Sequence, residues 1–545
     1  MGKEFNVTGA CLPEFHYMVD ITGKLEEIRE YVEKGRYFSI NRARQYGKTT
    51  TLYALRDYLK SEYIVVSMDF QRLDSAKYKD GNTFSLAFAA YFLRALKAGY
   101  KVCGKQFHKN MGGEPDCIIE KCDLLQQIVL EQPKTFTLFE LFGYLSAICE
   151  ASEQPIILMI DEVDSASNYR VFLDFLSQLR ADYLDRTNNA TFWSVILAGV
   201  YDIKNIKQKI RSDEEHKMNS PWNIAAEFNV DMSLSEQGIA RMLAEYENDY
   251  HTGMDISYIA SMISSYTAGY PFLVSRICKL IDEQVAGSEY FPDRSRAWTK
   301  EGILEAVRRL LSEENSLFES LAEKIDRYPG LSDILFTVLF TGKNIAYNYD
   351  DQAISVAAMF GFIKNEKGRI AVANRIFETR LYNRYLSLEE LQASDIYKSS
   401  LWDRNQFIIG GYLNVRLILE KFVEHFHELY ADSDERFIEE SGRRLFLLYL
   451  RPIINGTGNY YIESRTRSMG RTDIIVDYHG EQHIIETKIW RGQEYNRRGE
   501  EQIVGYLDDY QQKKGYMLSF CFNKKKKVGI REIMIDDKVV IEAVV

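Results

Sequence analysis

Short apolar runs alternate with amphipathic stretches through the first two fifths of the chain. "RYFSI" (36–40), "YIVVSMDF" (63–70), "QPIILMIDE" (154–162) and "TFWSVILAGV" (191–200) are apolar almost without alternation. Between them lie stretches of helical period, such as "TTTLYALRDYLKSE" (49–62) and "YRVFLDFLSQLRADYL" (169–184). Strands apolar on both sides and separated by helices predict a parallel sheet buried on both faces over roughly 20–230. The stretch 100–135 reads as an insertion in that pattern. From 233 to 312 the period is helical throughout, and "SEQGIARMLAEYEND" opens with a Ser followed closely by Glu, a helix start. Residues 313–387 form a helix-rich unit in which a turn between "GFIKNE" and "GRIAVAN" predicts a β-hairpin followed by a helix. Polar residues over 388–410 read as a linker. The remainder, 411–545, reads as two helices, strands, a helix and strands.

At 545 residues the chain exceeds a single core, so several domains are expected. Its 46% hydrophobic and 27% charged residues are ordinary for a globular protein. No apolar run reaches the roughly 18 residues of a membrane span, and the N-terminus lacks the apolar core of a signal peptide, so a cytoplasmic location and no membrane partner are expected. Cys103, His108, Cys117 and Cys122 include no C-x-x-C pair, and incidental thiols are the simpler reading. The net charge of −11 argues against a general nucleic-acid coat. Residues 432–545, however, hold 19 basic and 19 acidic side chains, so any polyanion contact is favoured there.

Two stretches carry chemistry. In "YFSINRARQYGKTTTLYAL" a strand, a turn and Gly47-Lys48-Thr49 open a helix, the setting in which backbone N–H groups and a helix N-terminus hold phosphates. Lys48 is assigned to the phosphates of a nucleotide and Thr49 to Mg2+, with Gly47 and Thr50 completing the loop. The first glycine of the usual G-x-x-x-x-G-K-T is replaced by Arg42. "PIILMIDEVD" supports the reading, because a buried strand ending in Asp161-Glu162 has no packing rationale. Asp161 is assigned to the Mg2+ shell and Glu162 to polarising the attacking water.

The second stretch is "GRTDIIVDYHGEQHIIETK" (470–488). Glu486 and Lys488 are two apart on one strand and so share a face. Asp473 on the preceding strand can meet them. Asp473 and Glu486 form a hard-oxygen site for Mg2+ or Mn2+, and Lys488 stabilises charge on a phosphate. Behind them "EEQIVGYLDDY" sets Gln502 and Tyr506 four apart on one helix face.

"INRARQYGKTT", "MIDEVD", "ILAGVYD" and "TAGYPFLVSRIC" resemble the AAA-like ATPases that join an ATPase to a C-terminal PD-(D/E)XK nuclease domain. In that group R-x-R-x-x-G-K-[ST] often replaces the glycine-rich start. The resemblance covers about 10–385 and implies an α/β multidomain chain: a P-loop ATPase core with a parallel sheet at 1–232, a helical lid at 233–312 and a winged-helix unit at 313–387. It further implies ATP as ligand and Arg276 as a lid arginine near the γ-phosphate, with Arg180 as an arginine acting within or between subunits. Residues 411–545 resemble the PD-(D/E)XK nuclease fold, including the Q-x-x-x-Y motif of its exonuclease-like branch. That implies a helix carboxylate, for which Glu440 is chosen over Glu435 and Glu439, and nucleic-acid contacts from Gln502, Tyr506 and Arg471, with Arg465, Arg467 and Lys524–Lys527 as further phosphate grips. The expected activity is an ATP-regulated, Mg2+-dependent nuclease acting on DNA. The alternatives are a signal-transducing NTPase whose C-terminal domain binds nucleic acid without cutting, and a ribonuclease. The expected partners are nucleic acid and further copies of the chain as a homo-oligomer.

Overall fold

The computed structural model describes residues 2–103, 117–200, 222–341, 345–430, 435–454, 458–462, 472–478, 481–490, 500, 503–505, 507–508, 512–521 and 527–545. At 329, 341, 435–440, 458–462, 472–473 and 489–490 it describes the backbone alone. The chain divides into two compact units, 1–233 and 234–545.

In the first unit the four apolar runs become strands β1 (Phe38–Asn41), β2 (Ile64–Asp69), β3 (Ile156–Asp161) and β4 (Ser194–Gly199). All pair in parallel, in the order β1-β4-β3-β2. Alternate residues feed two separate cores. Ile156, Leu158 and Ile160 face one, while Ile157 and Met159 face the other with Phe38, Ile40 and Ile196. Burial on both faces is why these strands read as continuous apolar runs. The first core is rich in aromatic rings; Phe70, Phe84, Phe88 and Phe175 meet at centroid distances of 4.9–6.4 Å. Part of the expected insertion joins this core through Ile118, Ile119, Cys122 and Leu125 of the helix Cys117–Glu131. His108 lies outside the described residues.

The second unit begins with helices, among them Glu236–Tyr250, Ile256–Thr267, Pro271–Leu280 and Lys300–Ser312. Ser235 caps the first through the N–H of Gly238, 3.1 Å away. The hairpin β5 (Ile363–Glu366) and β6 (Arg369–Val372) turns at Lys367 and Gly368, both in the left-handed region, as a two-residue hairpin turn requires. The helix Arg375–Tyr385 follows it. Residues 388–410, expected as a linker, instead carry a helix, Asp395–Asp403, and the start of a short hairpin, β7 (Ile408–Ile409) and β8 (Tyr412–Leu413). The reason is apolar content: Ile396 and Phe407 are fully buried, and Ser400 bonds the Tyr449 carbonyl.

A six-stranded sheet closes the unit: β9 (Gly458–Ile462), β10 (Thr472–Tyr478), β11 (Glu481–Trp490), β12 (Lys514–Cys521), β13 (Gly529–Ile535) and β14 (Lys538–Val544), in the order β13-β14-β12-β11-β10-β9. The helices Val415–Tyr430 and Glu435–Ile454 cover one face. There the Phe426 and Phe520 rings are 5.6 Å apart, and a Cβ at Gly442 would stand 2.8 Å from the Phe520 ring.

One buried contact ties a helix of this unit to its sheet. The Tyr266 hydroxyl, at the end of Ile256–Thr267, donates to Asp477 Oδ2 on β10 at 2.7 Å. Burial pushes the Asp477 carboxyl up to about 6, against hydrogen bonds from Tyr266 and Gln482 and the charges of Lys300 and Arg375, which pull it down. Between the ordinary carboxylate range near 4 and about 6, the folded chain therefore holds a proton that the unfolded chain has lost. Stability accordingly falls as pH rises through that window. Asp477→Asn should flatten this dependence and raise stability above pH 6 by on the order of 1–3 kcal/mol. Thermal melts of both proteins from pH 4 to 8 check this; parallel curves would refute it.

Candidate functional site

The loop after β1 owes its shape to two left-handed residues, Gln45 at φ 57° and Gly47 at φ 78°. Gly47 immediately precedes the helix Lys48–Leu59. Such a turn exposes successive N–H groups toward one point at a helix N-terminus, an anion-binding shape. Position 42 is not in the left-handed region, so a side chain is tolerated where a glycine is usual. Arg42 turns out of the loop: its guanidinium donates to the carbonyl oxygens of Asn41 at 2.9 Å and Val230 at 2.7 Å and lies over the Phe228 ring.

Lys48 is buried, and its Nζ donates to the carbonyls of Arg42 and Ala43, each at 3.0 Å. Burial lowers its pKa, while Glu162, Asp164 and Asp161 oppose the shift. The Thr49 hydroxyl donates to Asp161 Oδ2 at 2.7 Å, joining the loop to the tip of β3. A hydroxyl and a carboxylate brought this close are hard-oxygen donors of the kind Mg2+ takes, so the donor set fits a Mg2+-nucleotide. The Thr50 hydroxyl accepts the N–H of Cys11 at 3.0 Å and so tethers the N-terminal segment.

Glu162 follows Asp161 in a left-handed conformation, φ 52°. For a non-glycine residue this is a strained geometry of the sort that collects at functional sites. Burial raises its pKa, Asp161, Asp164 and Asp69 add to the rise, and Lys48 opposes it. The strand order matters here: β4 lies between β1 and β3, and its end touches both. Arg42 N–H donates to the Gly199 carbonyl at 3.1 Å, and the N–H of Val200 donates to Asp164 Oδ2. A Cβ at Gly199 would stand 2.9 Å from Asp164 Oδ1. Asp164 and Gly199 lie within "MIDEVD" and "ILAGVYD", and the sequence signal for Asp164 is that it is a third acid just after Asp161-Glu162.

In the second unit, register places position 473 opposite Glu486 and Glu486 opposite Met517. Glu486 and Lys488 are buried at 1% and 4% exposure, two apart on β11. Lys488 stands beside Ser519. The opposite face of the same strands carries Ile474, Ile485, Tyr516 and Leu518, beneath the two covering helices. Glu486 and Lys488 thus share their face with the buried Ile475, Ile484 and Met517. Ile503 and Leu507 pack on Gly515, where a Cβ would stand 2.9 and 3.0 Å from their side chains.

Arg276 on Pro271–Leu280 holds Glu313 with Nε at 3.0 Å and Nη2 at 2.5 Å. The side chains of Asp473 and Glu440 lie outside the described residues, as do Arg471, Gln502 and Tyr506 entirely, with Arg465, Arg467 and Lys524–Lys526. Among the described residues no group of three or more His, Cys, Asp or Glu could hold a metal ion. None of the described helices is long and apolar enough to cross a membrane.

A family model described as "AAA-like domain" matches residues 16–387. No curated protein matches the chain. Among solved structures, the Walker-type ATPase PABY2304 of Pyrococcus abyssi is similar at 14% identity and a TM-score of 0.45, covering 69% of this chain and 99% of that one. The ORC2 protein of Aeropyrum pernix, solved as ADPNP–ADP complexes, is similar at 11% identity and a TM-score of 0.37, covering 67% and 95%. The ORC1 protein of the same organism, solved in complex with DNA, is similar at 11% identity and a TM-score of 0.30, covering 68% and 95%.

Proposed function

The chain belongs to the AAA-like domain family, and from that premise we propose that it binds and hydrolyses ATP and that nucleotide state governs a Mg2+-dependent nuclease acting on DNA. The observation that carries the ATPase half is the Thr49–Asp161 hydrogen bond beside buried Lys48. In this reading residues 1–232 are the ATPase core, 233–312 its lid, 313–387 a winged-helix unit and 411–545 the nuclease. Lys48 would neutralise phosphate charge, and Thr49 and Asp161 would hold Mg2+. The metal supplies charge neutralisation at the phosphates. Glu162 takes the proton of the attacking water, a role its raised pKa suits, since a base works best with a pKa near the operating pH. Arg276, paired with Glu313, is a lid residue that would have to exchange partners to reach a phosphate.

The nuclease half is supported by two buried, chargeable side chains, Glu486 and Lys488, on the sheet face away from the covering helices. Burying charge without purpose is unfavourable. Asp473 and Glu486 would hold Mg2+ or Mn2+, with Glu440 as the helix carboxylate. Lys488 would stabilise charge on the scissile phosphate, and Arg471, Gln502 and Tyr506 would position the strand.

The test is the full chain with Mg2+, with and without ATP, against linear, circular and single-stranded DNA and RNA. DNA should be cut in Mg2+ and left whole in EDTA, and Ca2+ should support binding without efficient cutting. Lys48→Ala should change how cleavage responds to ATP. Cleavage in EDTA would exclude the metal mechanism, binding without cutting would favour an NTPase switch, and cleavage of RNA alone would make the chain a ribonuclease. Identical cleavage by Lys48→Ala at every ATP concentration would show that the two activities are only tethered.

A further inference from the structure

The face that carries Glu486 and Lys488 continues across the sheet. Glu486 stands opposite Met517, Met517 opposite Glu542, and Glu542 opposite Arg531 on the edge strand β13. Cross-strand partners share a face, so Glu542 and Arg531 lie on the same side as Glu486 and Lys488. Glu542 is fully buried. Its Oε1 accepts the Ser519 hydroxyl at 2.7 Å, and its Oε2 accepts both Nε and Nη2 of Arg531. Ser519 is itself the cross-strand neighbour of Lys488.

A buried ion pair adds little stability that apolar residues could not supply. The other face of the same strands makes that apolar choice, with Leu518, Ile541 and Ala543. The Glu486 side also carries buried Ile484, Met517, Val540 and Val544, so the Glu542–Arg531 pair stands there among apolar neighbours. The pair engages one edge of a guanidinium that carries five donors in a rigid fork. The Arg531 side chain is nonetheless 50% exposed. An arginine locked along one edge by a buried carboxylate and open to solvent is preorganised for a second oxyanion. Three strand spacings separate β11 from β13, roughly 14 Å, which is too far for the phosphate that meets Glu486 and suited to one further along the strand.

We infer that Arg531, oriented by Glu542, grips a phosphate of the nucleic-acid backbone flanking the one that meets Glu486 and Lys488. This rests on the nucleic-acid reading of that face. Glu542 is a positioning residue, and it touches no substrate.

The experiment measures binding of the full chain in EDTA to a labelled DNA duplex and to one of its strands over a salt series. Arg531→Met with Glu542→Leu removes both partners and so strands neither charge in the sheet. Its slope of log affinity against log salt should fall by about 0.9 on the duplex and about 0.7 on the single strand, uniformly across sequences. Affinity should fall roughly tenfold at low salt, while the wild-type melting temperature is kept. Arg531→Lys keeps the charge and should keep the slope. If the apolar pair does not fold, Arg531→Gln with Glu542→Gln reads the same slope. Equal slopes in wild type and the double variant would overturn the inference, even if the wild type cuts DNA. A lost contact in a protein that never cuts with Mg2+ would instead leave the inference standing and remove the nuclease reading.

Discussion

Glu162→Gln should leave ATP bound and stop its turnover. Only the group that takes the proton of water changes; Lys48, Thr49 and Asp161 keep their contacts. Loss of a positioned general base typically lowers the rate 10²–10⁴-fold, that is about 3–5 kcal/mol of barrier. The wild-type protein should carry a matching pH signature. Glu162 acts in its ionised form, and burial raises its pKa. Hydrolysis should therefore fail on acidification at a pH above the ordinary glutamate range. Lys48→Ala should behave differently and lose nucleotide binding, because positive charge at the phosphates is gone. Binding of a fluorescent ATP analogue and phosphate release, measured for the three proteins, separate the cases. Wild-type turnover by Glu162→Gln would remove that residue from the role of base and turn attention to Asp164, whose charge also acts on Lys48.

Lys488→Ala should abolish DNA cleavage and spare ATP hydrolysis. Removing one electrostatic group aimed at developing charge raises a barrier by ~2.7–4 kcal/mol, a rate loss on the order of 10²–10³. Asp473→Ala and Glu486→Ala should be at least as severe, since each removes a metal oxygen. The residue is buried, so melting curves must accompany the rates. A variant that melts like the wild type, hydrolyses ATP and does not cut DNA locates the loss in the chemistry. Undiminished cleavage by such a Lys488→Ala protein would remove the site from β11 altogether.

Much of this could be read from the chain itself, for a local physical reason. β3 is apolar on both sides, and only a strand covered on both faces needs that pattern. Gly47-Lys48-Thr49 is legible because the loop geometry depends on near neighbours: a left-handed glycine, then a helix start. Glu486 and Lys488 share a face because a strand repeats every two residues, which requires no knowledge of its neighbours. The turn at Lys367-Gly368 is legible for the same reason.

What only the tertiary structure decided involves residues distant in sequence. Nothing near Arg42 foretells that its guanidinium reaches the carbonyl of Val230, which is how an arginine occupies a glycine's place. The insertion of β4 between β1 and β3 brings Val200 N–H to Asp164. Asp477 resembles any strand carboxylate until Tyr266 is found against it. Residues 388–410 look like a polar linker until the helix Asp395–Asp403 buries Ile396. Arg531 and Glu542 flank an ordinary turn, and their place in one row with Glu486 depends on how β12 and β14 are registered. Periodicity assigns each residue to a side of its own element. Which side of which neighbour it then meets is set by strand order and register, and those are chosen by the packing of whole faces rather than by any short stretch of sequence.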